Sequence, residues 1–203
     1  VIVRSDGMPT YNFAVVVDDI TMEISHVIRG EDHLSNTPKQ LLLYAALGAR
    51  PPQFAHVPLI LGPDKTRLSK RHGATSLDFY AREGYLPEAL MNFLALLGWS
   101  YDESTEIFSR NDLIEKFSLD RVGKTPAVFA IDKLQWMNGV YIRALSIDEL
   151  TERVLPFMRD AGLVDPADAA QVDHLRRILP LVHERLKRLA EAPELTDFLF
   201  AQE

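Results

Sequence analysis

The sequence contains no cysteine, which excludes disulfide bonds and zinc sites built on thiolates. It also lacks an apolar run approaching the ~20 residues that a membrane-spanning helix needs. Among the histidines, His174 and His183 lie nine residues apart, which is not a spacing typical of metal ligands. We therefore predict a protein with no zinc, no other resident metal and no membrane partner. The lack of cysteine is also typical of a cytoplasmic protein.

The chain has no excess of positive charge either. Its net charge of −7 gives no indication of nucleic-acid binding, so such a function has to rest on local basic patches. Salt screening confines the effect of each patch to roughly 8–10 Å. Apolar residues make up 47% and charged residues 25% of the 203 residues, which is typical of a globular chain with one large domain or two small ones.

Short apolar runs rich in β-branched residues occupy the first part of the chain. They predict strands over residues 12–17 and 22–29. A weaker strand is predicted over residues 55–61, because Pro58 interrupts it and cannot donate to a strand ladder.

A helix is predicted between the second and third of these strands. Asn36 or Thr37 can cap its start, and Pro38 suits its first turn. The apolar run that follows, residues 39–47, stops at Gly48. The order strand, helix, strand predicts a parallel α/β unit.

From about residue 76 the apolar spacing becomes helical. Pro87 can open a helix whose apolar residues recur every three or four positions until Gly98. Ser109 and Ser146 each stand three residues before an acidic side chain, a capping-box pattern that predicts two more helix starts. The predicted fold class is therefore α/β followed by all-α.

Two further helices are predicted in the second half. Asp132 can cap a short helix that ends at Asn138 and Gly139. A later apolar stripe predicts one long basic helix through Leu175, Leu179, Val182, Leu186 and Leu189. We interpret its cations as a solvated face, with a phosphate-contacting face as the alternative; they are Arg176, Arg177, Arg185, Lys187 and Arg188.

A compact basic segment lies between the two halves. Lys65, Arg67, Lys70 and Arg71 fall within seven residues of an acidic chain, and glycine and proline flank them. Such a loop can wrap a polyphosphate and place cations where negative charge develops. A solvated basic loop explains the same residues. The Gly-x-x-x-x-Gly-Lys-Ser/Thr pattern is absent, which excludes a P-loop nucleotide site.

A second polar cluster, residues 29–33, joins a predicted strand to a predicted helix, where open α/β sheets bind ligands. Gly30 permits close backbone approach, Asp32 can accept ribose hydroxyls, and Arg29 can bind a carboxylate. An ion-paired turn explains these residues equally well. Tyr11 also has two interpretations, as a hydroxyl that orients a substrate or as a packed aromatic ring.

Longer segments of the sequence resemble one family. Residues 67–71 resemble the KMSKS loop of class I aminoacyl-tRNA synthetases, in the variant typical of glutamyl enzymes. Four further segments resemble bacterial-type glutamyl-tRNA synthetases in the family's order and spacing: residues 5–14, 17–19, 26–38 and 136–143. The resemblance covers residues 1 to about 145 strongly and the helical remainder weakly.

The resemblance implies an ATP site in two parts. Lys70 would bind the ATP phosphates and stabilise the charge that builds as pyrophosphate leaves. Arg67, Ser69 and Arg71 would be its catalytic neighbours in the loop. The adenosine would be approached by four consecutive residues, Gly30, Glu31, Asp32 and His33.

The same resemblance implies positions for the other substrates. Arg29 would pair with the α-carboxylate or the side-chain carboxylate of glutamate, and Tyr11 would line that pocket. Val15 stands where some relatives carry an asparagine that contacts the amino acid, so this contact is not carried over. Asp18 and Asp19 would lie near the acceptor end of the tRNA.

The activity implied is that of a glutamate–tRNA ligase, which attaches L-glutamate to tRNA(Glu) through glutamyl-adenylate. ATP would bring Mg²⁺ with it, and a cytoplasmic monomer is expected. Residues 1–62 would form the C-terminal half of a Rossmann-type nucleotide-binding fold. Residues 63–145 would form the KMSKS loop and a mainly helical stem-contact domain, and residues 146–203 would begin a helical anticodon-binding domain.

The other class I motif, His-x-Gly-His, is absent from the sequence. We therefore expect a fragment that lacks the N-terminal part of the enzyme and that does not activate glutamate alone. A non-catalytic tRNA-binding module derived from the same fold is the alternative. A paralogue that glutamylates a tRNA base and a glutaminyl-tRNA synthetase are both disfavoured, because residues 146–203 carry helical spacing.

Overall fold

The computed structural model describes residues 1–69 and 76–200. The chain divides into two compact units. The first unit contains Val1–Ile60 with Val122–Ala127, and the second contains Leu61–Arg121 with Val128–Glu203. Within the described residues, no helix is both long enough and apolar enough to cross a membrane.

The first unit is built around a parallel pair of strands. Its elements are α1 (Tyr11–Thr21), β1 (His26–Gly30), a 3-10 helix (Glu31–Asn36), α2 (Thr37–Ala46) and β2 (Gln53–Val57). The two strands pair in parallel, from His26 opposite Gln53 to Gly30 opposite Val57. The predicted parallel strand–helix–strand unit is therefore confirmed.

The strand predicted over residues 12–17 is wrong, because this segment lies inside α1. The carbonyl of Thr10 accepts hydrogen bonds from the backbone N–H groups of Phe13 and Ala14, which starts the helix. A β-branched residue disfavours a helix by only about 0.5 kcal/mol. Val16 is completely buried where α1 packs against α2, and its burial outweighs that preference.

The other two strand predictions were correct in type and wrong in extent. The strand predicted over residues 22–29 begins only at His26, because α1 runs to Thr21 and Glu23 then turns the chain with a φ of 55°. The strand predicted over residues 55–61 is divided at Pro58 into β2 and the short β3 (Ile60–Leu61).

The predicted helix α2 is confirmed, with Pro38 in its first turn. Its chain reversal uses Gly48, whose φ of 67° lies in the left-handed region that glycine adopts without strain. The first turn of α2 lies next to the carboxyl ends of both strands, because Thr37 Oγ1 lies 2.9 Å from Arg29 Nη2 on β1 and 2.9 Å from His56 Nε2 on β2.

The second unit is mainly helical. Its helices are α3 (Leu77–Arg82), α4 (Pro87–Ala95), α5 (Arg110–Lys116), α6 (Ile131–Arg143), α7 (Ile147–Asp160), α8 (Ala169–Ile178) and α9 (Ala192–Thr196). The strand β4 (Ala127–Val128) pairs with β3 in a second, two-stranded sheet, and each of these strands has its first residue in the first unit and its second residue in the second. The helix predicted from Pro87 is confirmed, and Ser109 and Ser146 both form the predicted capping boxes.

Helix α6 is longer than the sequence suggested. Asp132 is not its cap but lies in its first turn, and the helix continues through Gly139 to Arg143. Gly139 has no left-handed φ and lies within the helix. A Cβ added there would lie 3.1 Å from Arg143 Nη1 and in ordinary contact, 3.5 Å, with the carbonyl oxygen of Leu186.

The apolar stripe from Leu175 to Leu189 is buried, but the prediction that it lies on one helix is wrong. Helix α8 ends at Ile178, and the chain continues in 3-10 turns, Leu179–Leu181, His183–Arg185 and Leu189–Glu191. Pro180 has no backbone N–H to donate to the preceding turn, which disfavours continuation of the α-helix at this point. The stripe packs against Leu150, Val154 and Met158 of α7.

Candidate functional site

Arg29 is the central residue of the candidate site. It lies in β1, one residue before the strand ends, and its guanidinium carbon lies 5.3 Å from the centroid of the Phe54 ring. Its Nη2 donates to Thr37 Oγ1 at 2.9 Å and to Gln40 Oε1 at 2.7 Å. No ion pair joins Arg29 to an acidic side chain within residues 1–69 and 76–200. A partly buried guanidinium with only neutral partners favours an anionic ligand.

The donors of Arg29 are divided between the protein and a ligand. A guanidinium has five N–H groups, of which Nη1 and Nη2 each carry two. Both N–H groups of Nη2 are used by Thr37 and Gln40. In the described parts of the chain, Nη1 makes no hydrogen bond, so its two donors are available to a carboxylate.

His56 lies directly opposite Arg29 in the β1–β2 register. Arg29 Nε approaches His56 Nε2 at 3.5 Å, and Thr37 Oγ1 lies 2.9 Å from the same nitrogen. Burial lowers the pKa of His56 from 6.5, and the charges of Arg29 and His33 lower it further. A neutral imidazole can accept the hydroxyl hydrogen of Thr37 and adds no positive charge beside the guanidinium.

Tyr11 reaches the same region from the start of α1. Its side chain is exposed, and its hydroxyl lies 3.4 Å from Nδ1 of His33. The same nitrogen lies 3.3 Å from the amide nitrogen of Asn36. Through His33, whose carbonyl lies 3.4 Å from Thr37 Oγ1, the tyrosine is connected to the residues around Arg29. Tyr11 and Arg29, the two residues predicted to bind glutamate, are thus linked indirectly, through His33 and Thr37.

The residues after Arg29 form the start of the 3-10 helix. Gly30 has an ordinary φ of −63°, so it does not require the left-handed region. A Cβ at this position would lie 2.5 Å from Oδ1 of Asp32, so a larger residue would require the exposed Asp32 side chain to move. Glu31 accepts a hydrogen bond from the backbone N–H of Leu59 at 3.3 Å. His33 is partly buried, whereas Glu31 and Asp32 are exposed.

Asp18 and Asp19 lie near the other end of α1, about 10 Å along the helix axis from Tyr11 at 1.5 Å per residue. Asp18 is exposed. Asp19 Oδ2 accepts a hydrogen bond from the hydroxyl of the buried Tyr44 at 2.9 Å. Burial and this hydrogen bond raise the pKa of Tyr44. One of the two carboxylates therefore has a structural partner on α2, and the other faces solvent.

The basic segment begins as a tight turn in the second unit. Leu61 and Arg67 form an antiparallel bridge, and Gly62 N–H donates to the carbonyl of Thr66 at 2.8 Å. Asp64 accepts from both the backbone and the hydroxyl of Thr66. Arg67 and Ser69 are exposed at the end of this turn. Lys70 and Arg71, predicted as catalytic residues, lie outside the described residues.

No group of three or more histidine or acidic side chains that could hold a metal ion is present in residues 1–69 and 76–200. Magnesium prefers several oxygen ligands in octahedral geometry and is often held by one or two carboxylates together with substrate phosphates. The described side chains do not fit a cage for Mg²⁺ made by the protein alone.

Thr37, Gln40 and Asn12 were missed in the sequence. Gln40 is 1% exposed and donates through Nε2 to Asn12 Oδ1 at 3.0 Å. The spacing of Thr37, Gln40 and Tyr44 could have indicated them, because residues three and four apart lie on one helix face and these three form a polar face. A polar face on an otherwise apolar helix beside a strand end indicates that it contacts a polar group.

The sequence model described as "tRNA synthetases class I (E and Q), catalytic domain" matches residues 1–136. The chain belongs to this family. Its fold is that of a class I synthetase catalytic domain with mixed helical content.

The relatives of this class I synthetase chain carry a more specific name. The chain is 53% identical over 201 residues to a glutamate–tRNA ligase of Dehalococcoides mccartyi, and the match covers 99% of the chain and 42% of the relative. It is 55% identical over 201 residues to a glutamate–tRNA ligase of Heliobacterium modesticaldum, covering 98% of the chain and 40% of the relative. The chain thus spans about two fifths of the length of these curated relatives.

A solved structure has a similar fold over the whole chain. The crystal structure of a glutamate tRNA ligase from Elizabethkingia meningosepticum, in complex with its amino acid, has a TM-score of 0.84 to this chain at 35% identity. The similarity covers 100% of this synthetase chain and 43% of the other.

Proposed function

We propose that the complete protein attaches L-glutamate to tRNA(Glu) at the expense of ATP. The observation that carries this proposal is Arg29, a partly buried guanidinium with neutral partners and an available Nη1 beside the carboxyl end of two parallel strands. Open α/β sheets bind ligands at this edge. The names of the relatives support glutamate as the amino acid and tRNA as the acceptor.

The reaction has two steps. A carboxylate oxygen of glutamate attacks the α-phosphorus of ATP, the bond to the β-phosphate breaks, and pyrophosphate leaves. A terminal ribose hydroxyl of the tRNA then attacks the carbonyl carbon of glutamyl-adenylate, loses its proton, and AMP leaves. In this proposal Arg29 binds a carboxylate of glutamate through Nη1, and the hydroxyl of Tyr11 lines the pocket.

The ATP site of the proposal has two parts. Gly30, Glu31, Asp32 and His33 approach the adenosine. Lys70 stabilises the negative charge of the departing pyrophosphate, with Arg67, Ser69 and Arg71 beside it in the chain. Mg²⁺ would arrive with the phosphates of ATP.

The tRNA side of the proposal uses Asp18 and Asp19 near the acceptor end. Residues 1–62 complete a Rossmann-type fold, residues 63–145 contact the inner stem, and residues 146–203 begin an anticodon-binding domain. The enzyme is proposed to be a cytoplasmic monomer; light scattering of the purified protein tests the monomeric state.

The test is glutamate charging of tRNA(Glu) by the complete gene product that carries this chain. Arg29→Lys should raise KM for glutamate on the order of tenfold to a hundredfold, because charged hydrogen bonds contribute about 1.5–3 kcal/mol and lysine lacks the planar fork. KM for ATP should change less than twofold. Arg50→Lys, the same change at an exposed residue between α2 and β2, is the control.

Absence of charging by the unmodified protein would reject the proposal in favour of a non-catalytic tRNA-binding module. If Arg29→Lys charges tRNA with an unchanged KM for glutamate, the proposed activity stands and the proposed role of Arg29 in binding glutamate is rejected.

A further inference from the structure

Gln40 is the most deeply buried partner of Arg29. The side chain is 1% exposed, yet it lies on the second turn of α2 and not in an apolar layer. Its Oε1 accepts from Arg29 Nη2 at 2.7 Å, and its Nε2 donates to Asn12 Oδ1 at 3.0 Å. Both ends of the amide therefore have partners, which fixes its orientation between β1 and α1.

The chemistry of this position is selective. A glutamate of the same size would also accept a hydrogen bond from Nη2, but it would form an ion pair with Arg29 and neutralise it. The residues that hold Nη2 are instead an amide and a hydroxyl, Gln40 and Thr37, and both are uncharged. The guanidinium is thus oriented by the protein while its positive charge stays uncompensated by any described side chain.

We infer that Gln40 is a positioning residue for glutamate binding: its neutral amide fixes the Arg29 guanidinium without neutralising it, so that the charge remains available to the substrate carboxylate. This inference rests on the proposed function. It assigns to Gln40 no contact with substrate, only an effect through Arg29.

The test compares Gln40→Glu and Gln40→Met in the complete gene product, with glutamate KM, ATP KM and melting temperature as readouts. Gln40→Glu keeps the size and adds a counterion to Arg29. Gln40→Met keeps the approximate size and removes both hydrogen bonds, which leaves Arg29 and Asn12 each without one partner. The control is Gln53→Glu, which adds the same charge at the exposed first residue of β2. It lies three residues before His56, about 10 Å along the strand.

Gln40→Glu is expected to raise KM for glutamate by more than tenfold, the value of one charge-assisted hydrogen bond. Gln40→Met is expected to raise it less, because the guanidinium keeps its charge, and to lower the melting temperature more. KM for ATP should stay within about twofold of the unmodified value in both. A merely structural role predicts the opposite order, with the larger KM change in the variant that melts at the lower temperature.

Three outcomes are distinguishable. The order just given supports the inference. Charging by the unmodified protein, together with a glutamate KM in Gln40→Glu equal to that of Gln53→Glu, overturns the inference and leaves the proposed function intact. Failure of the unmodified protein to charge tRNA overturns both.

Discussion

Arg29 and His56 face each other across the β1–β2 ladder, and the guanidinium Nε lies 3.5 Å from His56 Nε2. Residues opposite each other in a ladder point to the same face of the sheet. The imidazole therefore lies beside the guanidinium on the same face of the sheet, and its protonation state matters for Arg29. A neutral ring accepts from Thr37, whereas a protonated ring would repel the guanidinium.

His56 should titrate with a pKa below 6.5 in the folded chain, because burial and the charges of Arg29 and His33 disfavour its protonated form. The unfolded chain then binds more protons between the folded pKa and 6.5. The contribution of His56 to stability is full above pH 6.5 and is lost as the pH falls through the folded pKa. NMR titration of the ring protons measures the pKa, and His56→Gln identifies the resonance.

Arg29→Gln should raise the pKa of His56 only part of the way towards 6.5, because burial is the larger cause and persists. A pKa at or above 6.5 in the unmodified chain would contradict this account of the pair.

Asn138→Ala should lower the free energy of unfolding of the chain by about 3 kcal/mol, since it leaves several buried backbone groups without a partner. Asn138 is fully buried, accepts from Leu86 N–H at 2.8 Å and donates to the carbonyl of Lys187 at 2.6 Å. Urea denaturation followed by tryptophan fluorescence measures the change. Asn111→Ala, at an exposed position of α5, should change stability by less than about 0.5 kcal/mol. Equal losses in the two variants would remove the special role of Asn138.

Ser146→Ala should destabilise the chain by about 1 kcal/mol, the usual cost of losing a helix N-cap. The hydroxyl of Ser146 accepts from the backbone N–H of Glu149, and the Glu149 carboxylate accepts from the backbone N–H of Ser146. Thermal unfolding monitored by circular dichroism measures the effect, with Ser100→Ala as the exposed control. A melting temperature equal to that of the control would show that the α7 cap contributes nothing.

Lys70→Ala should reduce glutamate charging by the complete gene product roughly 100-fold, the cost of losing one donor to a developing oxyanion. The loss should fall on kcat more than on KM for glutamate. Lys116→Ala removes a lysine whose partner is Asp112 on the same helix, and charging should persist in this control. Charging by Lys70→Ala at the unmodified rate would remove the loop from the mechanism.

The sequence correctly predicted those helices whose first and last residues are capping or helix-stopping residues. Helix α2 has Pro38 at its start and Gly48 at its end, and the Ser109 and Ser146 caps are complete within four residues. The strand prediction for α1 is wrong because a run of valines favours a strand locally, whereas the tertiary packing of the helix, which buries Val16 completely, outweighs that preference.

The residues of the candidate site were predictable only in part. Arg29 and Tyr11 stand in segments that resemble a known family, so the sequence alone proposed them as candidates. The partners of Arg29 come from α2 and α1, and a hydrogen bond between residues 11 positions apart, such as Arg29 and Gln40, has no local pattern. Loops such as residues 62–69 depend on turn chemistry, which Asp64 and Thr66 supply.

The hydrogen-bonded series from Asn12 through Gln40 to Arg29 makes these positions one mutational unit. Free-energy changes of substitutions add when sites are independent and fail to add when they share a partner. A substitution of Arg29 alone, made to change the amino-acid preference, would leave Gln40 Oε1 without the donor that it has in Arg29 Nη2. A double-mutant cycle at Arg29 and Gln40 should therefore give a coupling energy well above zero, and libraries that vary the three positions together should yield active variants whose single substitutions are each inactive.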